Sequence, residues 1–106
     1  MVESEKNMQE MQMIEQNLQN ILLQKQAFQM ELSETKAAFS EIQNSGDEVF
    51  KIIGQLMIKT DKKKINEELE SKEKLLDLRL KSLDKQEASL SDRLEKLRDE
   101  IIKDRK

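Results

Sequence analysis

The side chains that could carry acid–base chemistry in this 106-residue sequence are carboxylates and cationic groups. There are 22 Asp and Glu and 19 Lys and Arg, but no His, Cys, Trp or Tyr. The residue types that most often act as general bases, nucleophiles or metal ligands are therefore largely missing, and no Gly-rich phosphate-binding loop occurs. Carboxylates spread along exposed helix faces also lack the clefts in which catalytic groups are tuned. We expect a protein that is not an enzyme and that holds no metal and no cofactor.

The densest cationic run is Lys62-Lys63-Lys64. It has two interpretations, a basic patch for nucleic acid or acidic lipid and a solvated first turn of a helix. Three Glu follow it between positions 67 and 70, which favours the solvated turn. The formal net charge of the chain is −3, without the strong basic excess of nucleic-acid-binding proteins. We therefore expect neither nucleic acid nor a membrane surface as a partner.

Apolar runs are too short for a membrane span. None exceeds three residues, as in Ile21 to Leu23, whereas a spanning helix needs roughly 20. The first residues have neither a basic segment nor an apolar segment of the kind found in secretory signals. Without cysteine there is no disulfide or thiolate chemistry. The cytoplasm is the simplest expected location.

The composition predicts long helices that bury a narrow seam. Charged residues make up 39% of the chain and hydrophobic residues 36%, and there is no Pro and only two Gly. A compact domain of this length normally has nearer half of its residues apolar and several helix breakers for its loops. Long segments rich in Glu, Lys, Leu and Gln are typical of coiled-coil helices.

Heptad spacing predicts a first helix from about Glu5 to Gln43. Eight of ten positions that alternate by three and four residues are apolar, so an a/d seam is sustained over at least four heptads. Lys25 and Thr35 are its polar members. The ten positions are Met11, Ile14, Leu18, Ile21, Lys25, Phe28, Leu32, Thr35, Phe39 and Ile42.

A second helix with the same pattern is predicted over 61–104, with Thr60 or Asp61 as its N-terminal cap. The lengths of the two helices nearly match, so we expect an antiparallel pair in which facing residue numbers add up to about 104. The polar seam residues Lys25, Glu73 and Glu87 either set the register or extend outward to solvent. This register places neither Glu opposite Lys25, and no salt bridge is predicted. The ten seam positions are Leu69, Glu73, Leu76, Leu80, Leu83, Glu87, Leu90, Leu94, Leu97 and Ile101.

Between the helices, Asn44-Ser45-Gly46-Asp47 is a stop signal, and two β-prone runs around Gly54-Gln55 predict a β-hairpin over 49–60 with a type II′ turn. Both of its faces are apolar and both strand edges are unpaired. Such a hairpin is marginal alone, which predicts that it assembles with other hairpins. One predicted face carries Val49, Ile53, Leu56 and Ile58, and the other carries Phe50, Ile52 and Met57.

The order helix, hairpin, helix and the string from Val49 to Asp61, VFKIIGQLMIKTD, resemble the β-type subunits of prefoldin, the co-chaperone of group II chaperonins. The segment from Leu78 to Glu87 and Gln24-Lys25-Gln26 are similar to archaeal members. The resemblance covers essentially the whole chain as a single unit, 1–106. The hairpin string is its specific part, because coiled-coil seams occur in many unrelated proteins.

This resemblance implies a fold dominated by α-helix, an antiparallel two-helix coiled coil whose one hairpin joins an oligomeric β-barrel. It implies a hexamer of two α-type and four β-type subunits as the partners. The implied activity is capture of unfolded proteins at the coiled-coil ends without ATP, followed by transfer to a group II chaperonin. The alternative is a structural coiled-coil tether with a fixed partner, although a tether would need only a polar turn to reverse the chain.

Near the paired ends, Met13 and Ile102 lie beside the strict seam, so the apolar stripe is wider there than two helices need. Fraying of the terminal turns would expose more of this stripe, and the flexible thioether of Met adapts to many surfaces. We expect this region to contact clients, and the other interpretation is an ordinary end of the seam. The candidate residues are Met8, Met11, Met13, Ile14, Leu94, Leu97, Ile101 and Ile102.

Overall fold

The computed structural model describes residues 2–104 and contains two long helices joined by one antiparallel hairpin. The elements are α1 (Val2–Gln43), β1 (Glu48–Ile53), β2 (Leu56–Asp61) and α2 (Lys62–Asp104). Helices of 42 and 43 residues form because neither contains an interior Pro or Gly. The predicted fold class is confirmed. Neither helix, over its described length, is apolar enough to cross a membrane.

The chain divides into two compact units. The first contains α1 as far as Ala27 and α2 from Leu80 onward. The helices run antiparallel within it, since Glu10 pairs with Arg93 while Lys25 pairs with Asp84. Its buried apolar side chains follow the heptad seam, and each is worth about 1.5–3 kcal/mol relative to exposure. They are Ile14, Ile21, Leu83, Leu94 and Leu97.

The second unit is Phe28–Arg79 and contains the hairpin. Its helices are also antiparallel, because Glu31 pairs with Lys72 and Gln43 with Asn66. Ile65 and Leu76 are buried, and so is the seam residue Thr35. The Thr35 hydroxyl donates to the Glu31 carbonyl at 2.7 Å, so this buried hydroxyl has a partner in its own helix.

The end of α1 and the start of α2 are each capped by nearby groups. The amides of Asn44 and Ser45 donate to carbonyls three residues earlier, which tightens the last turn of α1. Asp61 is the N-cap of α2, because its Oδ1 accepts from the Lys64 amide at 2.8 Å. Of the two predicted caps, Asp61 therefore has this role and Thr60 does not.

The register of the helices differs from the expected one by about five residues of α2. In the hairpin, Ile53 pairs with Leu56, and the facing residue numbers add up to 109 along the whole ladder. Within each unit, Lys36 with Glu73 and Lys25 with Asp84 also add up to 109, and the core neighbours Ile14 and Leu94 add up to 108. Other ion pairs of long side chains reach along the helix, so Glu10 with Arg93 and Glu31 with Lys72 add up to 103. The expected value of about 104 was wrong because the turn is centred between Gly54 and Gln55 and the ladder continues directly into the cap of α2.

Candidate assembly and client-binding surfaces

The hairpin exposes nearly all of its apolar side chains. Cross-strand pairing places Ile53, Leu56 and Ile58 on one face together with Val49. Phe50, Ile52 and Met57 lie on the opposite face, as the alternation predicted. Val49 is half-buried and the other six are exposed, by up to 70% for Ile52. An exposed apolar surface of this density needs a partner.

The two faces of the hairpin are not equivalent. Lys51 lies on the Val49 face, and its Nζ donates to Glu68 Oε2 of α2 at 2.9 Å. Val49, Lys51 and Thr60 are half-buried, so the helix-proximal part of this face is partly covered. Phe50, on the opposite face, is 57% exposed. The contact of Lys51 with Glu68 was not predicted from the sequence. The position of Lys51 on a strand face that is otherwise mostly apolar could have indicated that Lys51 has an acidic partner.

The turn of the hairpin depends on glycine. Gly54 has φ of 60°, and among residues 2–104 no residue other than glycine has positive φ. Positive φ at the first central position, followed by negative φ at Gln55, is the pattern of a type II′ turn. A Cβ at Gly54 would meet no atom within 4 Å, so the requirement for glycine comes from the backbone and not from crowding.

In the first unit, three of the eight candidate client-binding residues are buried. Ile14 and Leu94 are 5% and 8% exposed, Leu97 is fully buried, and together they form a core cluster. Met11 packs against this cluster. Ile14, Leu94 and Leu97 are therefore not accessible to a client while the helix pair is folded, because these seam positions face the partner helix.

The remaining candidates form the accessible part of this region, which we call the tip surface: Met8, Met11, Met13, Ile101 and Ile102. Met13 is 65% exposed, Ile102 55% and Met8 50%. Met11 and Ile101 are half-buried. Both helices remain helical through this region, so the exposure does not depend on fraying of the ends. The tip surface is narrower than the sequence predicted, and Met supplies three of its five side chains.

One ion pair and one hydrogen bond connect the two helices near the tip surface. The Arg93 guanidinium donates from Nε and Nη2 to the two carboxylate oxygens of Glu10, at 3.0 and 3.2 Å. This hydrogen bonding, followed by the charge of Glu10, raises the pKa of Arg93. Asn7 also donates to Glu100 at 3.4 Å. The two-point contact of Arg93 with Glu10 holds the helices together beside the exposed Met side chains.

Lys25 forms salt bridges with two carboxylates of α2, which were not expected from the sequence. Its Nζ lies 2.8 Å from Asp84 Oδ1 and 3.3 Å from Glu87 Oε1. Hydrogen bonding to Asp84 and then to Glu87 raises the pKa of Lys25, so the ammonium form is favoured. The wrong register hid this pairing. Extending the register of the predicted turn at Gly54-Gln55 along the helices would have placed Lys25 opposite Asp84.

Lys62 has a defined role at the base of the hairpin, while Lys63 and Lys64 are exposed. The Lys62 ammonium donates to the carbonyls of Gln43 and Ser45, at 3.2 and 3.3 Å. These carbonyls lie at the C-terminal end of α1, where the helix leaves acceptors free and favours a cation. Lys62 therefore stabilises the C-terminal end of α1. No pattern in the sequence indicated this role.

No described part of the chain offers a metal site, since no three acidic side chains within it lie close enough together to hold an ion.

The fold defines a class of subunit in which two coiled-coil helices are joined by a β-hairpin. Both faces of this hairpin are apolar and available for contact with other strands. The chain matches the model of the prefoldin subunit family over residues 5–105. It belongs to the prefoldin subunit family.

Similar proteins are archaeal β subunits. The chain is 42% identical to prefoldin subunit beta of Thermococcus onnurineus over 89 residues, which cover 82% of this chain and 77% of that protein. It is 40% identical to prefoldin subunit beta of Thermococcus kodakarensis, over 82% of this chain and 76% of that one. The crystal structure of the prefoldin β subunit from Thermococcus strain KS-1 superposes with a TM-score of 0.85 at 36% identity, covering 93% of this chain and 89% of that one.

Proposed function

We propose that this chain is a β-type subunit of a prefoldin hexamer with two α-type and four β-type subunits. In this role the hairpin joins a β-barrel shared with the other subunits, and the protein is a chaperone in the cytoplasm, not an enzyme. The observation that carries the proposal is the hairpin, because its exposed apolar faces need partners. The match of residues 5–105 to the prefoldin subunit family supports the same conclusion. Similarity to archaeal β subunits supports the β-type assignment.

We further propose that the tip surface captures unfolded proteins without nucleotide and passes them to a group II chaperonin. Exposed Met side chains support this role, because their flexible thioethers adapt to clients of different sequence. Each contact contributes about 1–2 kcal/mol, so capture needs several subunits that grip one client at once. Core residues such as Leu97 contribute indirectly, by holding the helix pair closed beneath the surface.

The test replaces Met8, Met13 and Ile102 with Ser in the assembled hexamer. All three side chains are at least half exposed, so the core cluster of Ile14, Leu94 and Leu97 stays intact. We expect the variant to suppress aggregation of a denatured model protein much less well than the parent. Addition or removal of ATP is expected to change neither result.

The matched control replaces three other exposed apolar residues with Ser. They are Met30, Leu75 and Leu78, which lie outside the tip surface. This control removes a similar amount of exposed apolar area, and it should hold clients as well as the parent does. Size-exclusion chromatography must show an intact hexamer for both variants. Full holding by the tip variant would contradict client capture at this surface and favour the structural tether.

A further inference from the structure

Lys25 places a charge in the middle of a mainly apolar seam. The two seam residues that precede it on α1, Leu18 and Ile21, are half-buried and buried. The Lys25 side chain itself is 18% exposed, compared with 38% for Glu87 and 60% for Asp84. The ammonium therefore sits close to the seam, while its carboxylate partners remain in contact with water.

On α1, the surface around Lys25 has little else to oppose association, whereas the facing stretch of α2 carries further charges such as Lys81, Lys85 and Arg93. Between positions 16 and 27, Lys25 is the single charged residue of a chain that is 39% charged. Leu22 and Leu23 in the same stretch are 49% and 63% exposed. Most of the other residues there are Gln and Asn. A surface of exposed Leu and uncharged amides is suited to packing against another helix.

The ion cluster makes such packing unfavourable. A further helix laid over the seam would remove water from Lys25, Asp84 and Glu87, and their mutual attraction does not reliably compensate for that desolvation. The cluster also has one more negative charge than positive charges, so two copies brought face to face would repel each other. A single polar residue at a seam position is known to limit coiled coils to a particular number of helices, at a cost in stability.

We propose that Lys25, together with Asp84 and Glu87, keeps the helix pair of one copy from bundling with the helix pair of a second copy. In this role the cluster limits how many helices associate with one another. It takes no part in client capture or in assembly through the hairpin. In a subunit that assembles through its hairpin, it leaves the helix pairs of neighbouring copies separate.

The experiment isolates association through the helices. Ile53→Lys and Ile58→Lys in the full-length chain introduce charges that are designed to block assembly through the hairpin. In this background, Lys25→Leu with Glu87→Leu makes the seam of the first unit apolar at these two positions and leaves Asp84 in water. We expect the apparent dissociation constant for self-association, measured by sedimentation equilibrium, to fall at least tenfold. Lys25→Met alone, which removes the charge at similar side-chain length, is expected to produce a smaller fall in the same direction.

A matched control tests whether any added Leu has this effect. Lys72 and Glu31 form another ion pair between the helices, at 3.2 Å, with both side chains more than 40% exposed. Lys72→Leu with Glu31→Leu changes the composition and net charge identically, but outside the seam. Circular dichroism checks that every variant remains helical.

Two results would overturn the proposal. One is a seam variant that stays as monomeric as its background, and the other is a control that associates equally well. If the background itself associates, the same comparison is made in the chain with its native hairpin. There the seam change is expected to raise the mass above that of the parent oligomer, and an unchanged mass would also overturn the proposal.

Discussion

Single side chains at the end of the first unit differ sharply in their surroundings although their residue types are alike. Leu97 is fully buried in the core cluster, whereas Met13 is 65% exposed. Both were candidates for the same client-binding role, because both lie near the apolar stripe predicted from heptad spacing. The distinction matters for experiments, since a substitution at a buried candidate changes stability before it changes binding.

We therefore predict opposite outcomes for alanine at these two positions. Leu97→Ala leaves a cavity among Ile14 and Leu94 and should lower the free energy of unfolding by about 2–5 kcal/mol. Met13→Ala removes exposed atoms and should change it by less than about 0.5 kcal/mol. Denaturant unfolding of each variant, followed by circular dichroism, measures both values. A Met13 variant as unstable as the Leu97 variant would mean that Met13 is buried in solution.

The element with the most demanding local geometry is the hairpin. Its two strands pair in a single register from Glu48 with Asp61 to Ile53 with Leu56. A pair between Glu48 and Lys59 on one face adds a cross-strand contact. The register depends on the two-residue turn, since a slip by one residue would exchange the two apolar faces.

The two glycines of the chain provide a matched comparison at this scale. Gly54→Ala forces a side chain into positive φ and should destabilise the hairpin by about 1 kcal/mol or more. Gly46→Ala meets no atom within 4 Å and involves no positive φ, so it should be neutral or slightly stabilising. Thermal unfolding of the assembled protein compares the two. Equal loss of stability in both variants would contradict the type II′ turn.

At the scale of the whole molecule, the hairpin and the helix pairs perform separable tasks. The apolar faces of the hairpin require partners, while the helices bury their own seam within each unit. We therefore expect that a chain built in this way retains its helices when its assembly is disrupted.

We predict that Ile53→Lys with Ile58→Lys abolishes assembly with an α-type partner and leaves helical content largely unchanged, because these side chains lie together on one exposed face of the hairpin. Native mass spectrometry of the chain with and without that partner measures the stoichiometry, and circular dichroism measures the helices. Leu75→Lys with Leu78→Lys, which also charges two exposed apolar positions, is the control and should assemble normally. An intact hexamer in the hairpin variant would show that assembly uses another element.

Local patterns were sufficient to predict the two helices, the hairpin and its two faces. Heptad spacing in each helix and a Gly-Gln turn between β-prone runs are properties of neighbouring residues, so they can be identified before the chain is folded. The specific part of the resemblance to prefoldin was likewise one continuous string, from Val49 to Asp61. The apolar faces followed from the turn, because strand side chains alternate strictly.

Features that depend on two distant segments needed the folded chain. The pairing of Lys25 with Asp84, the burial of Leu97 and the contact of Lys62 with the end of α1 all depend on how far α2 is shifted along α1. A periodic seam is compatible with several such shifts, because moving one helix by a turn again brings apolar residues together. The hairpin removes this ambiguity, since its ladder and the cap at Asp61 set where α2 begins opposite α1.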